Sequence, residues 1–281
     1  MNSQEHTMSP FGGTTGGAVS VIKVGGAVVE DSEQLTTLLD NFASIPGKKI
    51  LVHGGGRRAT KVAAQLGIES HMVGGRRITD AEMLSVVTMV YGGLVNKNLV
   101  AQLQAKGVNA LGLTGADMDV IRSHKRPLKK VNMDDGTDQM VDFGFVGDVD
   151  YADGDRLAQL LNSGVTPVVA PLTHDGQGNI LNTNADTMAS TVAKALAKHF
   201  DVTLIFSFEK KGVLSNPDDD DSVIPVITHE SYNKYVEDGI ISGGMMPKVE
   251  NALAAVDAGV KKVIITLASN INKNDCGTVI E

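Results

Sequence analysis

Val21-Ile22-Lys23-Val24-Gly25-Gly26-Ala27 is a short β-branched run that carries one lysine and breaks at two glycines. A second unit of the same kind follows at Ile50-Leu51-Val52-His53-Gly54-Gly55-Gly56-Arg57. Glycine lets a chain come close to a ligand and take φ > 0, and exposed backbone amides attract phosphate. Two such loops suggest amides converging on an anion, with a lysine beside them. Two ordinary strand-to-helix turns would leave the same trace, so the rest of the chain must decide.

Outward from these loops, strands and helices alternate. Strand Ser20–Val24 is followed by a helix capped at Asp31-Ser32-Glu33 and running to about Ala43. Strand Lys49–Val52 is followed by a helix from Arg58 to Leu66. This spacing predicts a parallel sheet with helices on both faces. His71–Thr79 reads as a short hairpin or lid. Two helices are expected next, from Thr79 to about Tyr91 and from Leu94 to Lys106, parted at Gly92-Gly93. Val120–Asp150 reads as edge ribbons whose many charges are solvated. Further helices are expected at Asp153–Gly164, Thr187–Lys198, Thr228–Glu237 and from Lys248 to Ala258. Strands are expected at Asn109–Leu113, Thr166–Pro171, Val202–Ser207, Lys262–Thr266 and Gly277–Ile280. Residues 1–18 are polar and unpatterned and read as a disordered tail. The turn-rich stretch near Thr173 suggests a boundary between lobes 19–172 and 173–281.

Composition narrows the classes. A chain of 281 residues, 42% hydrophobic and 21% charged, suits one large or two modest globular domains. With 25 basic and 33 acidic residues its net charge is −8. That balance, with no basic aromatic stripe, argues against nucleic acid as partner. A single cysteine, Cys276, rules out an internal disulfide framework and fits a reducing, cytoplasmic setting. No apolar run approaches a membrane span, and the histidines lack metal spacing, so no protein-built metal site is expected.

Three residues stand out for chemistry. Lys23 precedes paired glycines. Lys248 follows the glycine-rich turn Ser242-Gly243-Gly244-Met245-Met246-Pro247. Asp186 opens a helix after Asn182-Thr183-Asn184-Ala185. Two lysines held by one carboxylate suit phosphoryl transfer, where catalysis is mostly positioning and positive charge. Arg77, between Gly74-Gly75 and Ile78-Thr79, is a candidate clamp for a substrate carboxylate. The plainer reading makes both lysines surface residues and Asp186 a helix cap. His53 reads as structural. Gly54–Ala59 also fits the dinucleotide-binding pattern G-x-G-x-x-G/A, but it lies outside the first strand–helix unit and leaves both lysines unexplained.

These segments together resemble the amino acid kinase superfamily. Val21–Gly26 looks like its opening strand, and Leu51–Gly56 strengthens the match. Gly74–Thr79, Leu181–Asp186 and Gly243–Val249 narrow the resemblance to the acetylglutamate kinase family, in order from about Val19 to Ile280. The resemblance implies a three-layer αβα sandwich with an open, mainly parallel sheet. It implies an N-terminal lobe for acyl-glutamate binding and dimerisation and a C-terminal lobe for ATP. The implied reaction is phosphorylation of the γ-carboxylate of N-acetyl-L-glutamate by ATP with Mg²⁺, in arginine biosynthesis. Lys23 and Lys248 would stabilise the transition state and Asp186 would orient them. Gly55, Gly56, Arg77 and Asn182 would hold the acyl-glutamate. Gly25, Gly26, Ser207, Gly212, Gly243, Gly244 and Met245 would hold the nucleotide.

The chain also departs from the family pattern. The nucleotide-lobe strand usually ends Ser/Thr-Asp-Val-x-Gly, but here reads Ser207-Phe208-Glu209-Lys210-Lys211-Gly212. The later turn, often Thr-Asp-Gly-Met, here reads Ser242-Gly243-Gly244-Met245. Segment Arg122–Asp142 is also unlike the family, which leaves N-succinyl-L-glutamate as an alternative acceptor. The altered nucleotide turns leave a catalytically inactive nucleotide-binding sensor as an alternative of another class. The unpatterned tail predicts no mobile N-terminal helix, hence a homodimer and weak or absent inhibition by arginine.

Overall fold

The computed structural model describes residues 17–132, 136–273 and 276–281. The expected tail falls almost wholly on residues 1–16, outside the described residues, and so does the expectation of no N-terminal helix there. The first strand, Ala18–Val24, alternates its side chains. Val19, Val21 and Lys23 share one face, and Ile22 and Val24 share the other. Both faces are buried, which makes this a central strand of a covered parallel sheet.

Eight strands form that sheet, in the order Val226–Ile227, Thr278–Ile280, Lys262–Leu267, Asp201–Phe208, Ala18–Val24, Lys48–His53, Thr166–Val169 and Ala110–Leu113. All neighbours are parallel except Lys262–Leu267 with Thr278–Ile280. One core packs Val19, Val21, Val202, Leu204 and Phe206 against helices Gly154–Asn162, Ala185–Leu196 and Met246–Asp257. The other packs Ile22, Val24, Leu51 and Val168 against Ser32–Ser44, Gly56–Gln65 and the helix that begins at Ala81. The three-layer αβα arrangement is therefore present. A second sheet of Ile180–Asn182, Leu172–His174, Ile121–Lys125 and Gly147–Ala152 stands beside it. Two ribbons, Met72–Val73 with Arg76–Arg77 and Lys129–Asn132 with Asp138–Val141, complete the strands.

Local chemistry explains most helix boundaries. Asp31 accepts the amides of Glu33 and Gln34 at 3.1 and 3.0 Å, and Asp80 accepts that of Met83 at 2.8 Å. Thr228 and Ser231 form a reciprocal capping box at the start of His229–Glu237.

Two expectations need correction. The two helices predicted around Gly92-Gly93 are one, Ala81–Ala105, wound as a π-helix from Thr88 to Val95. Glycine's helix penalty of about 1 kcal/mol is small against the burial of Met83, Val86, Val87, Val90, Tyr91, Leu99 and Leu103 on one face. Gly92 also lets the helix meet Leu172, whose Cδ1 lies 3.4 Å from where a Cβ would stand. By length and composition this fused helix could cross a membrane, and 44% of its apolar window is buried inside the molecule. The second correction is a short helix, Gly26–Glu30, packed directly after Gly25 where a turn was expected.

Gly144 joins the two regions. It takes φ +70°, and Phe143 and Phe145 on either side exchange backbone hydrogen bonds with Thr79. A methyl group at Gly144 would strike the carbonyl oxygen of buried Thr79. Gly144→Ala is therefore expected to lower stability by roughly 3 kcal/mol, from strain plus collision with backbone. Urea denaturation checks this, and an unchanged midpoint would refute it.

Candidate active site

Register brings the loops together. Val24 pairs with His53 on one side and with Ser207 on the other. The turns after Ala18–Val24, Lys48–His53 and Asp201–Phe208 therefore leave the same carboxyl edge side by side. The central strand is where the chain order changes direction, the usual ligand crevice of an open α/β sheet. The glycine loops touch: a Cβ on Gly54 would lie 3.0 Å from the amide nitrogen of Gly26, and one on Gly26 would lie 3.5 Å from those of Gly55 and Gly56. Neither loop uses positive φ, contrary to one reason suggested by sequence. Close approach asks for glycine in the second loop, at Gly54 against the Gly26 amide and at Gly55 against the Tyr91 ring, where a Cβ would lie 2.7 Å from Cδ1. The Gly56–Gln65 helix has no side-chain cap, so its first amides remain open to a ligand.

Two clefts meet at Gly56. The first, of about 530 Å³, is lined by Gly25–Val28, Gly56, Arg57, Ser207–Lys210, Gly212, Met245, Lys248 and Ile265. Lys23 adjoins it through the Phe208 ring, with its side chain 10% exposed and Nζ 2.8 Å from Asp186 Oδ1. Asn184, not Asp186, caps the Ala185–Leu196 helix, accepting amides of Asp186 and Thr187 at 2.8 and 3.1 Å. The Asp186 carboxylate is thereby free for the lysine. Lys248 Nζ stands 4.4 Å from the centre of the Phe208 ring, and Lys23 Nζ stands 5.5 Å from it. The expected carboxylate bridge between both lysines is present here only on the Lys23 side. The Ser207 hydroxyl is buried without a protein partner. Arg57 and Glu209 pair at 3.5 Å across the mouth.

The second cleft, of about 220 Å³, is lined by Gly54–Gly56, Met72, Gly75, Arg76, Arg77, Tyr91, Arg126, Val146, Pro171 and Asn182–Ala185. Arg77 donates to Ser70 Oγ at 2.8 Å, to the Gly56 carbonyl at 3.0 Å and to Thr60 Oγ1 at 2.8 Å. It so ties the hairpin to the glycine loop. Asn182 donates to Thr79 Oγ1 at 2.9 Å. Arg126 grips Asp148 with two nitrogens, and those bonds hold the Asp148 carboxyl below its ordinary pKa. Burial, with neighbouring Arg126, lowers the pKa of Arg76. Three guanidinium groups and no carboxylate line this cleft, which suits an acid with more than one negative charge.

Behind the glycines lies His53, fully buried. Its Nδ1 lies 2.8 Å from the Gly54 carbonyl, and its Nε2 lies 3.1 Å from the Asn96 amide, which also donates to the Val168 carbonyl. A neutral ring with the proton on Nδ1 satisfies both contacts, and burial pushes the pKa down to about 4. Below pH 6.5 the unfolded chain takes up the proton that the folded ring refuses. Stability is therefore full above pH 6.5 and falls as pH drops toward 4, by about 3 kcal/mol from this group. Urea midpoints of the parent should decline more steeply between pH 6.5 and 4.5 than those of His53→Gln, whereas parallel profiles would refute this.

The structure brings Lys248, Gly25, Gly26, Ser207, Gly212 and Met245 to the first cleft, with Lys23 and its partner Asp186 adjoining it beside Phe208. It brings Gly55, Gly56, Arg77 and Asn182 to the second. Gly243 and Gly244 form the turn just before Met245, and Gly243 takes φ +55°. Gly212 packs tightly, since a Cβ there would lie 2.7 Å from Thr278 Oγ1. Sequence reasoning missed Phe208, Tyr91 and Arg126. Phe208 was visible only as a departure. Tyr91 is hidden in an apolar helix stripe, where its ring faces Gly55, and a Cβ on that glycine would meet Tyr91 Cδ1 at 2.7 Å. Arg126 was read among solvated charges, yet it is 9% exposed.

Comparison with known proteins identifies the family. Residues 18–267 match the model of the amino acid kinase family. The acetylglutamate kinase of Bacteroides thetaiotaomicron is 64% identical over 94% of this chain and 98% of its own. That of Parabacteroides distasonis is 65% identical over 90% and 95%. Among solved structures, the Streptococcus mutans protein smu.665 superposes with a TM-score of 0.69 at 28% identity, covering 93% of this chain and 98% of that one. Giardia carbamate kinase shares the fold, with a TM-score of 0.64 at 17% identity over 95% and 99%. With that coverage and identity, the chain belongs to the amino acid kinase family, among the acetylglutamate kinases.

Proposed function

We infer that this kinase transfers the γ-phosphoryl group of ATP to the side-chain carboxylate of N-acetyl-L-glutamate, forming an acyl phosphate and ADP, as a step of arginine biosynthesis. The observation that carries the reading is the meeting of a lysine cleft and an arginine cleft at Gly56. A carboxylate oxygen attacks phosphorus as the bond to the ADP oxygen breaks, and negative charge spreads over the transferring group. The attacking carboxylate is already ionised, so no general base is required. That agrees with a neutral His53 placed behind the loop and out of the clefts.

Lys23 and Lys248 lie on the nucleotide side, where their charge opposes that of the transferring group. Asp186 orients Lys23. The Gly54 amide donates to the Val24 carbonyl at 2.9 Å, so the amides of Gly25, Gly26, Gly55 and Gly56, with the unpartnered Ser207 hydroxyl, would offer the donors to phosphate and acyl-acceptor oxygens. Gly212, Gly243, Gly244 and Met245 would frame the rest of the nucleotide. Arg77 would take the α-carboxylate and Asn182 the acylated end. Among the described residues no cluster of carboxylates, histidines or cysteines forms a metal cage. Mg²⁺ fits as an ion carried by the nucleotide's phosphates and water, where it would neutralise their charge.

In this reading residues 19–172 supply most of the acid cleft and residues 173–281 most of the nucleotide cleft, with Asn182–Ala185 and Gly25–Val28 crossing over. Exposed Met89 and Leu94 on the long helix offer an apolar face for a homodimer.

Coupled ADP release tests the reaction with N-acetyl-L-glutamate, N-succinyl-L-glutamate, glutamate and no acceptor. N-acetyl-L-glutamate should give the highest kcat/KM. Preference for the succinyl compound would assign the Arg76 and Arg126 wall to an anionic acyl group. No turnover with any acceptor would overturn the kinase reading. Lys248→Ala should lower kcat about 10²-fold or more with little change in KM. Arg77→Ala should raise the KM for the acid by roughly 30-fold, the loss of a charged hydrogen-bonded clamp. Steady-state kinetics checks both, and the reverse pattern would exchange the roles.

A further inference from the structure

Two lysines approach the ring of Phe208, and Asp186 pairs with only one of them. Among the described residues no carboxylate pairs with Lys248, and Glu209 at the mouth is engaged with Arg57. Both ammonium groups lie over the ring of Phe208, whose centre is 5.5 Å from Lys23 Nζ and 4.4 Å from Lys248 Nζ. The strand places it there. Lys23 pairs in register with Phe206, and Phe208 follows two residues on, on the same face. Phe206, 4% exposed, stacks behind Phe208 with centroids 6.0 Å apart and the planes 20° from parallel. The ring is therefore braced from below by the core.

We propose that Phe208 is a positioning residue, whose π face holds the ammonium groups of Lys23 and Lys248 ready for the transferring phosphoryl group. The proposal rests on the phosphoryl-transfer reading above. A lysine has many rotamers, and one with no anchor must give up that freedom at every turnover. The ring face attracts ammonium and limits that freedom before the nucleotide arrives. Because the ring carries no net charge, it does this without repelling a triphosphate. A carboxylate at the same place would hold the lysines more firmly, but it would add a negative charge next to the incoming phosphates. The Phe208 ring thus leaves the cleft one charge more positive than an aspartate would.

The test separates ring electronics from ring shape. Phe208→Leu removes the π face, Phe208→Tyr keeps it, and pentafluorophenylalanine at position 208 keeps the shape while reversing the charge of the face. The expected result is a fall in kcat of roughly tenfold for the leucine and pentafluoro variants, with the KM for ATP changed less than threefold and the tyrosine variant within about twofold of the parent. Parental kcat in the pentafluoro variant would overturn the proposal, whether or not the leucine variant folds. A rise in KM for ATP at constant kcat would also overturn it, since the ring would then serve as a nucleotide platform.

A readout independent of turnover distinguishes failure of this proposal from failure of the kinase reading. In nucleotide-free protein labelled on lysine, the ring current should move the ε-methylene protons of Lys23 and Lys248 upfield in the parent and tyrosine variants and not in the leucine variant. Unshifted lysine signals in the parent would sink the proposal even in an active kinase. Shifted signals in a protein with no turnover would support the lysine placement while refuting the kinase reading.

Discussion

The register of three parallel strands is the constraint on which the rest depends. Val24 sits between His53 and Ser207, so three loops leave the sheet at one level. Two of them approach until a Cβ on Gly54 would come within 3.0 Å of a backbone nitrogen. That approach is tighter than most Cβ contacts, so glycine suits it, and it brings the two loops' backbones to one place. A slip of one residue would turn Lys23 from the face of Val19 and Val21 to the opposite core. The geometry of the candidate site and the sheet are thus held by the same hydrogen bonds.

Charge is arranged around that edge in two compartments. On one side lysines and open amides face a space of about 530 Å³, and on the other, arginines face one of about 220 Å³. The chain as a whole is acidic, with net charge −8, so its positive charge is local. Buried Lys23, Arg77 and Arg126 need partners, and exposed Lys248 has one as well. Lys23 has Asp186, Arg126 has Asp148, Arg77 has neutral oxygens, and Lys248 has an aromatic face. Beside the lysine cleft, a hollow lined by Glu30, Asp31 and Glu33 carries the opposite sign. An anion is therefore directed toward the lysine side.

Legibility in the sequence followed distance along the chain. Alternation of Val19, Val21 and Lys23, the glycine turns, and caps such as Asp31 and Asp80 are local, and they predicted the layered fold and most of its elements. Gly92-Gly93 misled because glycine's local cost is outweighed by burial along a helix that the sheet covers. Arg126 was unreadable for a similar reason. A charged residue in a ribbon looks solvated until Asp148, 22 positions later, and the ring of Phe143 close around it. Asp186 was visible as a carboxylate at a helix start, but only the fold shows that Asn184 serves as the cap and leaves Asp186 for Lys23.

By itself the sequence determined which residue types are available and where most of the strands and helices of the main sheet layer begin: the lysine before paired glycines, the arginine in a glycine hairpin, the aspartate after two asparagines. It also carried the family resemblance that the comparisons bear out. Tertiary structure alone decided how these parts meet. It set the first glycine loop against the second, divided the crevice at Gly56, and gave Lys248 to Phe208 instead of to Asp186. The physical reason is that periodicity and capping are properties of neighbours in the chain. Contact between a lysine, a carboxylate and a ring more than twenty residues apart depends on strand register and helix packing, which only the folded molecule specifies.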